Sequence, residues 1–290
     1  KGDLSPLRQG KLARWAMLAT LTWPVALPIA AAGWCTHCQR EHRLARTPEA
    51  EQHALALLAS VDAAGRFDFE EPTGEKRFQA EACTGGKMLG VLTCEGGTVL
   101  RAFSGMLGGS WHCPGWVGPV ASLTLEDAAA SVRFARIVEH VQLAKEASDE
   151  PARTEHRRIH RALSAELTTD LAASVVLRNW RGDEVALPDL LERRQQQLPT
   201  TRRPPWGVGD CAAPKLLHAA HALGLRPTGL AELWHEPPSR RGSRGPGGSS
   251  PRRREHGSLH PACQERCEPI MGFLLCGLED GAPDPRTLLQ

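Results

Sequence analysis

One segment of the chain contains only four residue types. All 18 positions of residues 237–254 are Pro, Gly, Ser or Arg. Such a segment cannot bury enough apolar surface to offset the entropy lost on ordering it, so we predict a disordered insertion. Cysteines lie on both sides of it in patterns that look like parts of one site. We therefore expect the insertion to interrupt a domain rather than to join two domains.

The composition is that of a globular protein and excludes several classes. The 290 residues are 41% hydrophobic and 23% charged, with a formal net charge of +2. These values exclude a fibre, a disordered tail and a chain dominated by a strongly basic nucleic-acid arm. The 9 cysteines are too few for a disulfide-dense secreted scaffold, and their odd number argues against complete pairing. The length suits one large domain or two small ones.

The N-terminal region is basic and then apolar. Residues 15–34 carry no charge and are about long enough to span a bilayer, but they include two prolines. A signal or transit peptide, an anchor, an upstream extension and a buried N-terminal segment all stay open. We predict an extension over residues 1–41 and a cytoplasmic chain, with an organellar or membrane-associated chain through residues 1–34 as the alternative. The first residue is Lys rather than Met, which suits a processed form or a fragment.

Apolar spacing predicts an α+β fold with a small antiparallel sheet, a helical hairpin arm and a mixed α/β, cysteine-containing C-terminal half. The patterns favour helices over 48–61, 123–171 and 188–198 and strands over 88–94, 98–103 and 175–177. Pro151 is expected to break the long helical region into two helices. The predicted subdomains are a small α+β unit over 42–122, the arm over 123–200 and the cysteine-containing unit over 201–290.

Three cysteines near the insertion have the placement of metal ligands. Cys211 precedes Pro214, which suits the first turn of a helix, so its thiol is predicted at a helix N-terminus, where a thiolate is stabilised. Pro261 is expected to open a second short helix with Cys263 and Cys267 on one face. Three thiolates can hold a structural zinc ion, whereas buried reduced cysteines and a disulfide are the alternatives. The candidates for a fourth ligand are His260, Cys276 and solvent.

Other candidate residues have weaker patterns. Cys35 and Cys38, with His37 and His42 nearby, form a second candidate metal cluster, but no matching pair follows close downstream, so ordinary reduced cysteines are favoured. Structural roles are also favoured for His218 and His221. Packing is favoured over stacking on RNA bases for Trp111, His112, Cys113, Trp116 and Trp206.

The main cysteine pattern is similar to that of zinc nucleoside and nucleic-acid deaminases. Those enzymes place His or Cys, with Glu two residues later, ahead of a P-C-x-x-C element. Here Ala213 stands two residues after Cys211, and three residues rather than two separate Cys263 from Cys267. Kinship of fold stays open, whereas the missing general acid/base argues against deaminase catalysis.

Longer motifs resemble the two ends of an N-terminal region carried by a subset of RluA-like RNA pseudouridine synthases. The first end is GKMLGVL at 86–92 with AFSG at 102–105. The second end is GDCAAPKLL at 209–217, AELW at 231–234, HPAC at 260–263 and CEPI at 267–270. Residues 158–191 are similar in layout, and the resemblance covers roughly residues 42–280. It implies a non-catalytic module that binds structured RNA, tRNA or rRNA.

The catalytic domain of such enzymes lies downstream and carries an aspartate in an H-R-L-D-x-x-T-S-G type motif. Residues 42–45 read H-R-L-A here, so no catalytic aspartate is present. We expect this chain alone to form no pseudouridine and a longer protein that continues into that domain to be the isomerase. The RNA contacts are assigned to Lys87, Arg153, Arg157, Arg158, Arg161 and Lys215. Zinc is assigned to Cys211, Cys263, Cys267 and His260. The alternative hypotheses are a divergent zinc deaminase-like protein and a membrane-tethered interaction protein.

Overall fold

The computed structural model describes residues 27–83, 85–124, 126–199, 207–240 and 254–279. Within these residues the chain forms strands and α-helices in an α+β arrangement, which confirms the predicted class. In chain order they are β1 (Ile29–Cys35), β2 (Arg40–Ala45), α1 (Pro48–Ala64), β3 (Lys87–Cys94), β4 (Val99–Phe103), α2 (Ala128–Glu146), α3 (Glu150–Ala173), β5 (Val176–Arg178), β6 (Glu184–Ala186), α4 (Leu187–Gln197), α5 (Ala212–Ala222), β7 (Pro227–His235), β8 (Leu259–His260) and α6 (Glu268–Leu275).

The central sheet has four antiparallel strands in the order β4-β3-β7-β8. Strand β3 pairs with β4 through Leu92 opposite Leu100, and with β7 through Gly90 opposite Glu232. Helix α1 packs on one face of this sheet and helix α5 on the other. Because β3 is covered on both faces, its sequence is a continuous apolar run rather than an alternating one.

Local sequence signals set the ends of α1 and the β3–β4 turn. The Thr47 side chain accepts a hydrogen bond from the amide of Ala50 and caps α1, which ends at Gly65 with a left-handed φ of 65°. Gly96 and Gly97, both at φ 78°, form the turn between β3 and β4. The two strands predicted over 88–94 and 98–103 form an antiparallel hairpin, and its turn uses backbone angles that glycine adopts without strain.

Helices α2 and α3 pack against each other as the predicted helical hairpin. The chain turns at residues 147–149, and Asp149 caps α3 by accepting from the amide of Ala152. The long helical region is divided into two helices beside Pro151, as expected, and Pro151 lies in the first turn of α3, where its missing N–H has no helical partner to lose. Some of the apolar side chains whose spacing predicts this helical region face outward, since Val132 of α2 is 63% exposed.

The core and the sheet join regions that were assigned to different subdomains. One buried cluster contains Leu92 from the predicted 42–122 unit and Leu216 and Leu230 from the predicted 201–290 unit. Strands β3 and β7, which lie in these two units, form 8 paired positions from Lys87 to Cys94. The predicted boundaries between these two subdomains therefore do not separate two cores, because residues of both units share one core and one sheet.

Two predicted segments fall largely outside the described residues. Residues 1–26 of the N-terminal extension and residues 241–253 of the predicted insertion are not described. The end of the uncharged stretch, residues 29–34, belongs to β1, which pairs with β2. Among the helices that the structure does describe, none is both long and apolar enough to cross a membrane.

Candidate metal centres and an adjoining cavity

Cys211 lies at the N-cap of α5, where the sequence placed it. Helix α5 begins at Ala212, and Pro214 is in its first turn. The helix approaches the sheet closely because Gly90 of β3 has no side chain. A methyl group on Gly90 would lie 2.8 Å from the Cβ atom of Ala212. This close packing holds Cys211 beside strand β3.

Cys263 and Cys267 reach the same place from the segment before α6. The expectation that Pro261 opens a helix was wrong, because residues 264–267 form turns and α6 begins at Glu268. The amide of Cys267 donates to the carbonyl of Cys263 at 3.3 Å, which closes one turn and leaves the two Sγ atoms 3.4 Å apart. The Sγ atom of Cys211 lies 3.8 Å from that of Cys263.

The spacing of these three sulfurs suits a metal ion. Tetrahedral zinc with Zn–S bonds of about 2.3 Å holds two sulfurs about 3.8 Å apart. All three Sγ atoms lie within 4.8 Å of one another, so Cys211, Cys263 and Cys267 can hold a metal. Interactions with the other two thiols lower the pKa of Cys263 well below its usual range, and the amide of Arg266 donates to its sulfur. Contacts among the same thiols raise the pKa of Cys211 and of Cys267, so the cluster favours one thiolate, at Cys263, and a thiolate is the form that binds metal.

The protein side chains considered as fourth ligands lie elsewhere. His260 is in β8, its Nε2 is 2.8 Å from the hydroxyl of Ser258, and it does not join the cysteine group. Its assignment as a zinc ligand is corrected accordingly. Cys276 belongs to a different cluster, described below. Solvent is the remaining candidate, because Cys211 lines a cavity.

The cavity has a volume of about 710 Å³ and lies between the arm and the sheet. This is the size of a small-molecule or cofactor pocket. Its apolar wall comes from the arm and includes Phe134, Ile137 and Leu167. Its polar wall includes Lys87, Ser104, Asp210, Cys211 and Arg266. The site thus combines a three-thiol cluster, two cations and an apolar wall.

Trp111 also lines the cavity and carries an unused hydrogen-bond donor. The residue is 5% exposed, and its indole Nε1 has no hydrogen-bond partner. Buried donors without partners are rare in folded proteins and call for an explanation. Trp116, in contrast, donates from Nε1 to the carbonyl of Phe67 at 2.8 Å and packs in the core. Trp111 therefore belongs to the cavity wall, whereas Trp116 belongs to the core.

Lys215 is buried and does not contact solvent. It is 1% exposed, and its Nζ donates to the carbonyls of Phe103 at 3.1 Å and Gly105 at 2.8 Å. Burial lowers the pKa of Lys215 to about 8, although Asp210 opposes this shift. The RNA role assigned to Lys215 is corrected, because this side chain ties α5 to the end of β4 and leaves no ammonium for a phosphate.

The other predicted RNA-binding residues have different surroundings. Lys87 is half-buried in the cavity wall, and burial lowers its pKa. Arg161 is exposed on α3 and forms no ion pair with any described residue. The three other arginines predicted to bind RNA are paired with glutamates: Arg153 with Glu150 at 2.6 Å, Arg157 with Glu150 at 3.6 Å and Arg158 with Glu155 at 2.6 Å. These pairs neutralise much of the charge that the arm carries.

Sequence reasoning missed Glu232, which is 3% exposed in β7. Its Oε1 accepts a hydrogen bond from the amide of Ala213 at 3.0 Å, and burial raises the pKa of Glu232 to about 7. Ala213 is the position at which zinc deaminases carry their glutamate. The available signal was an acidic residue inside the apolar strand sequence GLAELW, but its partner depends on the β3–β7 register.

A second cluster joins Cys35, Cys38, His42 and Cys276. Its ligand atoms all lie within 4.8 Å of one another. The Sγ atom of Cys38 is 3.0 Å from Nε2 of His42 and 3.6 Å from Sγ of Cys276. His37, the other histidine of this region, instead lies 3.3 Å from Asp183. The partner that the sequence pattern lacked is Cys276, 238 positions after Cys38.

Comparisons of the chain with protein-family models, curated protein sequences and solved structures found no match. The proposals below rest on the motifs and on the geometry of the two clusters and the cavity.

Proposed function

We propose that this chain is a non-catalytic, RNA-binding module of the kind that its motifs resemble, the N-terminal region of RluA-like pseudouridine synthases. In this proposal Cys211, Cys263 and Cys267 hold zinc, and pseudouridine formation in tRNA or rRNA belongs to a catalytic domain downstream. Such a module works where these RNAs are modified, in the cytoplasm. The observation that carries the RNA-binding role is the cavity beside Cys211 with Lys87 and Arg266 in its wall.

The lining of this cavity suits one nucleotide of an RNA chain. Lys87 and Arg266 supply cations for a phosphate, and the apolar wall from the arm suits the face of a base. Trp111 adds an aromatic side chain to the same wall. Arg161 on α3 adds an exposed cation without an ion-pair partner among the described residues. The paired arginines of the arm contribute less, because each would first have to leave its glutamate.

Binding of the zinc-loaded full chain to labelled tRNA and rRNA fragments over a range of salt concentrations tests this role. We expect the double variant Lys87→Ala/Arg266→Ala to bind at least about tenfold more weakly, since a hydrogen bond to a charged group contributes about 1.5 kcal/mol or more. The slope of log affinity against log salt should fall by about 2, one for each lost phosphate contact. Arg193→Ala, which removes an exposed cation from α4, is the matched control.

Two outcomes would contradict the RNA-binding role. One is the absence of measurable affinity for tRNA and rRNA fragments at low salt. The other is an equal loss of affinity in the double variant and in the Arg193→Ala control, which would place the contacts outside the cavity.

A second candidate function, a divergent zinc deaminase-like activity on nucleobases, is favoured by Glu232. Its buried carboxyl group accepts a hydrogen bond from the amide of Ala213. A carboxylic acid therefore lies next to the position at which zinc deaminases carry their catalytic glutamate. A three-cysteine zinc site with solvent as fourth ligand also suits activation of water. The test is ammonia release from cytidine, adenosine and single-stranded RNA, with Glu232→Gln as the variant expected to abolish it. No release by the zinc-loaded wild type would remove this candidate.

A further inference from the structure

The geometry points to a second metal site, a closed zinc centre formed by Cys35, Cys38, His42 and Cys276, which joins the β1–β2 hairpin to the end of α6. This site is separate from the cavity and does not depend on the proposed RNA role. Its ligand atoms lie within 4.8 Å of one another. Three thiols and an imidazole in tetrahedral spacing are a typical ligand set of structural zinc.

The turn between β1 and β2 brings the first two sulfurs together. Cys35 ends β1, and the amide of Gln39 donates to the carbonyl of Cys35 at 2.9 Å. Gln39 has a φ of 54°, and it is the one non-glycine residue among those described that has a left-handed φ. The amides of His37 and Cys38 donate to the sulfur of Cys35. The turn thus holds the sulfurs of Cys35 and Cys38 within reach of one metal ion.

His42 contributes a nitrogen and has a carboxylate on its other side. The residue is 1% exposed, and its Nε2 is 3.0 Å from the sulfur of Cys38. Its Nδ1 is buried without a hydrogen-bond partner and lies 3.7 Å from Oε2 of Glu279. Glu279 is itself held by the amide of Arg43, which donates to Oε1 at 3.0 Å. A histidine with one nitrogen at the metal and a carboxylate at the other is the usual arrangement around zinc.

Cys276 completes the set from the other end of the chain. It is fully buried at the C-cap of α6, and its sulfur is 3.6 Å from that of Cys38. Tetrahedral zinc requires about 3.8 Å between two sulfurs, whereas a disulfide requires about 2.05 Å. A disulfide would also leave the third thiol and the imidazole buried without partners. The spacing therefore favours a metal over a disulfide.

The two clusters differ in the number of protein ligands, which distinguishes structural zinc sites from sites with an open coordination position. The Cys211 cluster offers three protein ligands and borders a cavity, whereas this cluster offers four. Four protein ligands leave no position for water or substrate. Arg40 donates to the sulfur of Cys38 and partly balances the negative charge of three thiolates around one zinc ion. The role that follows is to hold β1, β2 and α6 together.

Zinc content of the 290-residue chain, purified in reducing buffer with Zn²⁺ and then dialysed against metal-free buffer, tests the site. The Cys211→Ala variant removes a ligand of the open cluster, so the second site can be measured alone. We expect one zinc ion per chain in Cys211→Ala and none in Cys211→Ala/Cys276→Ala or Cys211→Ala/His42→Ala. Cys211→Ala/Cys94→Ala is the matched control, because Cys94 is buried but belongs to neither cluster, and it should keep its zinc.

If the double variants do not fold, the ligands can still be identified in the Cys211→Ala protein itself. X-ray absorption at the zinc edge should show three sulfur neighbours and one nitrogen neighbour. Absence of zinc, an oxygen-rich shell, iron in place of zinc or a disulfide between any two of Cys35, Cys38 and Cys276 would overturn the assignment. If the wild type holds one zinc ion and Cys211→Ala still holds it, the open cluster fails as a zinc site and this one stands.

Discussion

Gly33 and Gly272 lie backbone against backbone where strand β1 crosses helix α6. A methyl group on Gly33 would lie 2.5 Å from the amide nitrogen of Gly272, and one on Gly272 would lie 2.5 Å from the amide nitrogen of Cys35. Both distances are shorter than any ordinary contact, so the two elements can pack this closely only because neither position has a side chain. This contact sets the separation between β1 and α6, and with it the positions of Cys35 and Cys276.

The first prediction concerns Gly272→Ala. Alanine is favoured over glycine inside a helix by about 1 kcal/mol, but overpacking against fixed backbone costs about 1–3 kcal/mol or more. Because the neighbours are backbone atoms of Trp34 and Cys35, which cannot move aside, we expect a net loss in the free energy of unfolding. Urea denaturation measures it. Gly85→Ala is the control, since a methyl there meets nothing within 4 Å, and equal stability of the two variants would contradict the close contact.

The second prediction is a pH dependence that arises from Lys215. Burial lowers the pKa of Lys215 from 10.5 to about 8, so between these values the unfolded chain holds more protons than the folded one. The free energy of unfolding then rises with pH across this window, by about 3 kcal/mol at most from this residue. Lys215→Met removes the titration while keeping a long side chain.

The measurement for Lys215 is the difference in unfolding free energy between wild type and Lys215→Met over pH 8 to 10.5. This difference should grow in favour of the wild type as the pH rises. Asp210, Cys211 and Lys87 also interact with Lys215, but they are present in both proteins. A difference that stays constant over the window would show that Lys215 titrates normally.

The third prediction compares a half-buried ion pair with an exposed one. Arg194 of α4 is 9% exposed and lies 2.5 Å from Glu268 in the first turn of α6, which is 33% exposed. Arg194→Met should lower the free energy of unfolding by about 1–2 kcal/mol, because the partly buried carboxylate of Glu268 loses its ion-pair partner. Arg158→Met breaks the exposed pair with Glu155 on α3 and should change it by less than about 0.5 kcal/mol. Equal effects in thermal or urea denaturation would count against the burial argument.

The fourth prediction separates the open metal cluster from the closed one. With cobalt in place of zinc, added imidazole should shift the visible absorption bands of the Cys211 cluster, because an open coordination position accepts a further ligand. The bands of the Cys35, Cys38, His42 and Cys276 cluster should not shift. The single variants Cys276→Ala and Cys211→Ala show one cluster at a time. A shift in the Cys211→Ala protein would mean that the four-ligand site is open.

Several parts of the fold could be predicted from neighbouring residues alone. The hairpin at Gly96 and Gly97, the cap at Thr47 and the position of Cys211 before α5 all depend on contacts within a few residues. The physical reason is that turns and helix ends are closed by hydrogen bonds between residues at most about five positions apart. Turns and helix ends can therefore be predicted from the sequence itself. The α+β class was predicted from the same local signals.

Tertiary packing decided the site. Cys276 meets Cys38 across 238 positions, and Glu232 meets Ala213 only because β7 pairs with β3 in one register and α5 rests on Gly90. Lys215 was predicted to bind RNA, but its ammonium group donates to backbone carbonyls at the end of β4 instead. The sequence by itself determined the ends of α1, the β3–β4 turn and the start of α5, through local hydrogen bonds. Which thiols lie close together, and which cations face a cavity, was decided by strand register and by the close approach of helix to sheet, which no local pattern encodes.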